Sequence, residues 1–187
     1  MSNEPTVFVV DDDQEVRDAL QLLMESVGLV VETYPSAADF LQHFDPARSG
    51  CIILDVRMPG MSGLDLQTRL AERRLHPPII IITGHGDVPM AVRAVQAGAV
   101  DFIEKPFNDQ ALLDAVHRAI ERDAQQRGEA SRLADIQERY ARLTPREKEV
   151  LELVVAGKRN KVIALELQVS QSTVEAHRSK VMEKMEA

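Results

Sequence analysis

Short runs of apolar, mostly β-branched residues recur along the first two thirds of the chain and alternate with stretches of helical period. Thr6–Val10, Val30–Thr33, Cys51–Leu54, Pro78–Ile82 and Val100–Ile103 are bounded by Asp, Gly or Pro, the punctuation of strands. Between the first two runs, Val16, Ala19, Leu20, Leu23 and Val27 fall on one face of a helix. Further helical stretches cover 36–44, 63–73, 88–97 and 109–121, the last with Leu112, Leu113, Val116 and Ile120 on a single stripe. Strands that are apolar throughout, each followed by a helix, predict an α/β doubly wound five-stranded parallel sheet buried on both faces. In that architecture ligands gather at the carboxyl ends of the strands.

The pattern changes after residue 121. Residues 122–142 are densely charged, with Ile136, Tyr140 and Leu143 at spacings of four and three, and read as a helical linker. Thr144-Pro145-Arg146-Glu147 then combines an N-cap, a proline at the first helical position and a capping-box glutamate. The helix it opens ends at Gly157. A second short helix covers Asn160–Leu167, and a polar turn at Gln168–Ser170 leads into a third, Gln171–Lys184, capped by Ser170. Two short helices joined by a tight turn behind a third make a small all-α helix-turn-helix domain. The expected division is 1–121, 122–142 and 143–187.

Composition narrows the class. With 44% hydrophobic and 28% charged residues the chain is globular. No apolar run approaches the ~18 residues of a membrane span. Glu4 and Asp11–Asp13 leave no room for a signal peptide, so a cytoplasmic protein is expected. The one cysteine, Cys51, forms no internal disulfide and is either a small buried residue or a reactive thiol. The net charge of −8 is unevenly spread: residues 1–120 hold 9 Lys/Arg against 18 Asp/Glu, whereas residues 143–187 hold 8 against 7. The overall acidity therefore says nothing against nucleic-acid binding by the tail.

Candidate chemistry lies at the strand ends. Asp11, Asp12 and Asp13 follow the first strand and Asp55 the third, so carboxylates converge at one edge and must take up protons or bind a cation. Oxygen-only ligands suit Mg²⁺. The fourth strand ends in Thr83 and the fifth leads to Lys105. Cation, hydroxyl and ammonium are what a phosphoryl group on a carboxylate nucleophile requires. A phosphatase working through an aspartyl phosphate needs an acid two residues beyond its nucleophile; here that position is Arg57, which cannot donate as a general acid. No strand is followed by a glycine-rich phosphate loop, Gly84-His-Gly86 being a turn. An enzyme is not expected.

Val10-Asp-Asp-Asp13, Leu54-Asp-Val-Arg-Met-Pro-Gly60, Ile82-Thr-Gly-His-Gly86 and Glu104-Lys-Pro-Phe107 resemble the receiver domain of two-component response regulators. The resemblance spans 5–121 and implies a flavodoxin-like receiver with Asp55 as phospho-acceptor. It implies a Mg²⁺ site of Asp12, Asp11 (through water), Asp55 and the backbone carbonyl of Arg57. Thr83 and Lys105 would meet the phosphoryl oxygens, Phe102 would be the switch aromatic, and the Lys105–Pro106 bond would be cis. Leu143–Val150, Gly157–Lys161, Ser172–His177 and Val181–Met185 resemble the LuxR-type helix-turn-helix, placing the chain in the NarL/FixJ class. By that resemblance Asn160–Leu167 crosses the DNA backbone and Gln171–Lys184 enters the major groove.

Helical period puts Val169, Val174, Val181 and Met185 in the core and leaves Thr173, Glu175, Ala176, His177, Arg178, Ser179 and Lys180 available to DNA. Asn160 and Lys161 join them from the preceding helix; Lys158, Arg159, Lys161, Arg178 and Lys180 are candidate phosphate contacts. Glu175 stands where many LuxR-type helices carry Lys, and is either a cytosine reader or a surface residue. His177 is either a DNA contact or a packed histidine. The family usually has one more helix after the third, so the domain is expected to lack its last helix. The implied partners are a sensor histidine kinase, an operator in double-stranded DNA, RNA polymerase and a second copy of the chain on phosphorylation. The rival reading is a receiver acting through protein contacts alone, its tail a vestigial helical bundle.

Overall fold

The computed structural model describes residues 4–84 and 88–186; His85 and Gly86, part of the expected turn, lie outside the described residues. The chain divides into two compact units, Met1–Gln126 and Arg127–Ala187. In the first, strands β1 (Thr6–Val10), β2 (Val30–Tyr34), β3 (Gly50–Asp55), β4 (Ile79–Thr83) and β5 (Asp101–Glu104) form one parallel sheet in the order β2-β1-β3-β4-β5. The doubly wound expectation is met. Helices α1 (Gln14–Ser26), α2 (Ala37–His43), α3 (Gly63–Glu72), α4 (Val88–Gln96) and α5 (Asp109–Ala141) connect and follow the strands.

Period-two alternation sorts the apolar strand residues onto two faces. Val7, Val9, Cys51, Ile53, Ile80 and Ile82 pack under Leu20 and Met24 of α1 and Leu112 and Val116 of α5. Phe8, Val10, Ile52, Leu54 and Ile81 pack under Phe40 of α2, Leu66 and Leu70 of α3 and Ala94 of α4. Burial on both faces is why the central strands β1, β3 and β4 are apolar between their ends, whereas the edge strands β2 and β5 are only partly buried and carry Glu32, Thr33, Asp101 and Glu104. Cys51 is fully buried, and desolvation, helped by the charge of Asp123, pushes its thiol up to about 12. Its role is packing.

Two elements differ from expectation. Leu20 of the expected α1 stripe is buried and Val16 and Leu23 pack against the same core, but Ala19 is exposed and Val27 46% exposed, and Arg17 and Met24 complete the buried face instead. An arginine enters the buried face because backbone and side-chain oxygens wait there for its guanidinium. The second difference is α5, one helix of 33 residues, in which the expected helix 109–121 and the expected helical linker run together without a break as far as Ala141. Its sequence holds no proline, and Arg, Glu, Gln and Ala sustain the helix through the charged stretch. It is anchored at one end by Leu112, Ala115, Val116, Ala119 and Asp123, whose carboxylate accepts the Gly50 N–H at 2.9 Å. From 124 to 138 every residue is exposed except half-buried Arg127.

In the second unit, α6 (Pro145–Val155), α7 (Asn160–Glu166) and α8 (Gln171–Met185) follow. Thr144 and Glu147 form the expected capping box and Ser170 caps α8 by accepting from the Thr173 N–H. Ile163, Ala164 and Val174 make the core, with Leu153, Val154, Leu167 and Val169 against it.

Candidate functional site

The carboxyl ends of β1 and β3 bring two carboxylates into one pocket. Asp11 is 1% exposed and Asp55 5% exposed, and Thr83 at the end of β4 is fully buried. Lys105, one residue beyond β5, reaches between the carboxylates: its Nζ donates to Asp11 Oδ2 at 2.7 Å and to Asp55 Oδ1 at 2.9 Å. The second oxygen of Asp55 accepts the backbone N–H of Arg57 at 2.6 Å. The bond from Lys105 to Pro106 is cis.

Burial pushes the Asp11 carboxyl above its ordinary value, against the pull of Lys105 and of the Asp13 N–H. Burial also opposes the charge on Lys105, but the two carboxylates outweigh it and hold the ammonium more firmly protonated than a free lysine. Phe102, on β5 beside Ile81 of β4, is half-buried against the core under α4. Asp12 and Asp13 project outward, and Asp13 caps α1 by accepting the Glu15 N–H at 2.9 Å. Among the described residues no three carboxylate, imidazole or thiol groups gather closely enough to hold a metal ion by themselves.

Sequence reasoning missed Arg17. This side chain is 7% exposed, and its Nη1 donates to the Asp11 carbonyl oxygen at 2.6 Å. An arginine in the second turn of a helix carries no signal that separates it from surface charge. Only the observation that Asp11 follows a strand, six residues earlier, hints that an acceptor is near.

On the helical unit, Lys161, Glu175, Ala176, Ser179 and Lys180 are exposed, the last four forming one stripe on α8. Thr173, His177 and Arg178 are half-buried. Arg178 donates to Asn160 Oδ1 at 2.8 Å, tying α8 to the start of α7. The Nδ1 of His177 is buried with no partner among the described residues, so the ring sits partly in the packing. Lys158 is paired with Glu166 at 2.6 Å.

Residues 7–117 match the family described as response regulator receiver domain, and residues 141–187 match the family of bacterial regulatory proteins, luxR family. The chain belongs to the response regulators with a LuxR-type DNA-binding domain. Nodulation protein W of Bradyrhizobium diazoefficiens is 50% identical over 186 residues, 100% of this chain and 82% of that protein. The transcriptional regulatory protein FixJ of Azorhizobium caulinodans is 48% identical over 181 residues, covering 97% of this chain and 86% of the relative. The solved structure of response regulator StyR matches with a TM-score of 0.90 at 46% identity, over 98% of this chain and 93% of that one. For a response regulator of this family, the pocket at the ends of β1, β3 and β4 lies at the edge where the fold binds its ligands. No described helix is long and apolar enough to cross a membrane.

Proposed function

We propose that the receiver, residues 1–121, accepts a phosphoryl group on Asp55 from a sensor histidine kinase in the cytoplasm, and that this controls operator binding by residues 143–187. The observation that carries the reading is the Lys105 ammonium held between two buried carboxylates at 2.7 and 2.9 Å. A fixed cation beside a carboxylate oxygen stabilises charge developing on a phosphoryl group bonded there.

An Asp55 oxygen attacks the phosphorus of the donor phosphohistidine, the P–N bond breaks, and the imidazole nitrogen keeps the electron pair. Lys105 then meets one phosphoryl oxygen and the buried Thr83 hydroxyl another. The residues fit Mg²⁺: the two buried carboxylates of Asp11 and Asp55 are oxygen ligands of the kind that ion takes one or two at a time and completes with water and phosphate. Asp11, Asp12, Asp55 and the carbonyl of Arg57 would hold it. The ion, when bound, supplies positive charge opposite the incoming phosphoryl oxygens. No metabolite is turned over, because Arg57 stands where a leaving-group acid would be needed.

Movement of Thr83 toward the phosphoryl group draws Phe102 inward and alters the face of α4 and β5, through which two copies pair. The exposed stripe of α8, with Asn160, Lys161, Thr173, His177 and Arg178 at its border, is the DNA surface, and RNA polymerase is the downstream partner. Incubation with phosphoramidate and Mg²⁺ is expected to add one acid-labile phosphoryl group, and Asp55→Asn to abolish it. Full stoichiometry on the Asn variant would move the acceptor elsewhere. A gel shift of the phosphorylated chain on its operator separates this reading from one in which the tail is vestigial.

A further inference from the structure

We infer that Arg17 is a positioning residue for the acidic pocket, fixing the peptide that joins buried Asp11 to exposed Asp12 and so the direction in which each acid leaves β1; this rests on the function proposed above. Asp11 is held at four points. Its N–H donates to the Tyr34 carbonyl at 3.2 Å, its Oδ1 accepts the Asp13 N–H at 2.9 Å, and its Oδ2 accepts Lys105 at 2.7 Å. The fourth is its carbonyl oxygen, which accepts Arg17 Nη1 at 2.6 Å. That carbonyl belongs to the planar peptide whose nitrogen is Asp12's, so anchoring it sets the direction in which Asp12 leaves the strand. Asp12 is exposed, and α1 begins two residues later. The guanidinium is therefore the link between the helix and the peptide that carries both acids.

The residue type matters. Arg17 donates through Nη1 to the Asp11 carbonyl and through Nη2 to Gln14 Oε1, two acceptors held by one rigid fork. Lysine carries the same charge without the fork. Among the described residues the guanidinium makes no ion pair, so its partners are neutral oxygens. A buried cation with neutral partners is costly in isolation, and here it is stabilised by its bonds to the Asp11 carbonyl and Gln14 Oε1.

Charge and position make opposite predictions, which gives a clean test. If Arg17 acts only through its charge, removing it beside a cation site strengthens Mg²⁺ binding. If it positions the carboxylates, its loss weakens binding by roughly ten- to a hundredfold, the usual effect of removing a residue that orients a metal ligand.

Calorimetric titration of the full chain with MgCl₂ decides between them. Arg17→Met is expected to raise the Mg²⁺ dissociation constant at least about tenfold, with Arg17→Lys intermediate. Leu20→Ala, which cuts the core beneath the same helix, should lower the unfolding temperature and leave Mg²⁺ affinity within about twofold of wild type. Should Arg17→Met fail to fold, Arg17→Lys carries the test alone. Unchanged or tighter Mg²⁺ binding in the folded Arg17 variants overturns the inference, as does equal weakening by Leu20→Ala. Wild-type protein that takes up no Mg²⁺ and no phosphoryl group would instead overturn the acceptor reading.

Discussion

A β-carbon added at Gly63 would stand 2.2 Å from the carbonyl oxygen of Asp55. The first residue of α3 thus lies against the backbone of Asp55, and its N–H donates to Val56 O at 3.0 Å. Gly63→Ala should push this loop away, destabilising the receiver by about 1–3 kcal/mol as overpacking does and slowing phosphorylation of Asp55. Gly50 is tighter still: its φ is +139° and a β-carbon there would meet the Thr6 carbonyl oxygen at 1.8 Å. Gly50→Ala should therefore cost more than Gly63→Ala in denaturant midpoint and leave phosphorylation of the folded fraction intact; the reverse order would mean that β1 has room to yield. Residues such as these mark where sequence reading stops. Asp11, Asp55, Thr83 and Lys105 were legible because a parallel sheet places its strand ends side by side. Arg17, Gly63 and Asp123 were not, because each takes its role from an atom that only folding brings near.

Helix ends were the most legible elements, since a cap is written within four residues: Thr144, Pro145 and Glu147 start α6 as expected, and Ser170 starts α8. What the caps did not reveal is a tie between the two helices. Lys184 Nζ donates to Glu147 Oε2 at 2.6 Å, and Glu147 also accepts the Thr144 N–H at 2.8 Å. The bond from Lys184 first, and that from Thr144 next, hold the Glu147 carboxyl down to about 2. A carboxyl depressed in the folded state stabilises it above the ordinary glutamate value, and this support is lost as pH falls from about 4.5 through about 2. Thermal melts of the full chain should show the helical unit weakening across that window, and Lys184→Met should flatten the slope there. An identical pH profile in the variant would show that the pair adds nothing. The helical character of 122–142 was legible, but its continuity with 109–121 was not: with no proline between them, nothing in the charged run marks whether one helix stops and another starts.

Over the whole molecule the charge is divided, with a strongly acidic receiver and a near-neutral tail whose cations are spread over α6, the turn before α7, α7 and α8. Operator affinity should fall linearly in log salt, and Lys161→Ala or Lys180→Ala should reduce that slope by about one while weakening all sequences alike. Sequence-selective loss would make the residue a base reader instead. The exposed middle of α5 has a different consequence. A protease cuts only chain that can be drawn into its cleft, and a helix offers none until it unwinds. Residues 124–138 bury almost nothing, so this stretch lacks the tertiary packing that supplies most helical stability in proteins. Gly128 in their midst gives up about 1 kcal/mol relative to alanine. Trypsin at low dose should therefore nick the chain first at Arg127 or Arg132, releasing a receiver-sized and a tail-sized fragment, and Gly128→Ala should slow that cut without slowing any other. First cleavage within the sheet unit would place the weakest point elsewhere. A cell in which such a nick occurs would hold a tail separated from its acceptor, a response regulator deaf to its own phosphorylation.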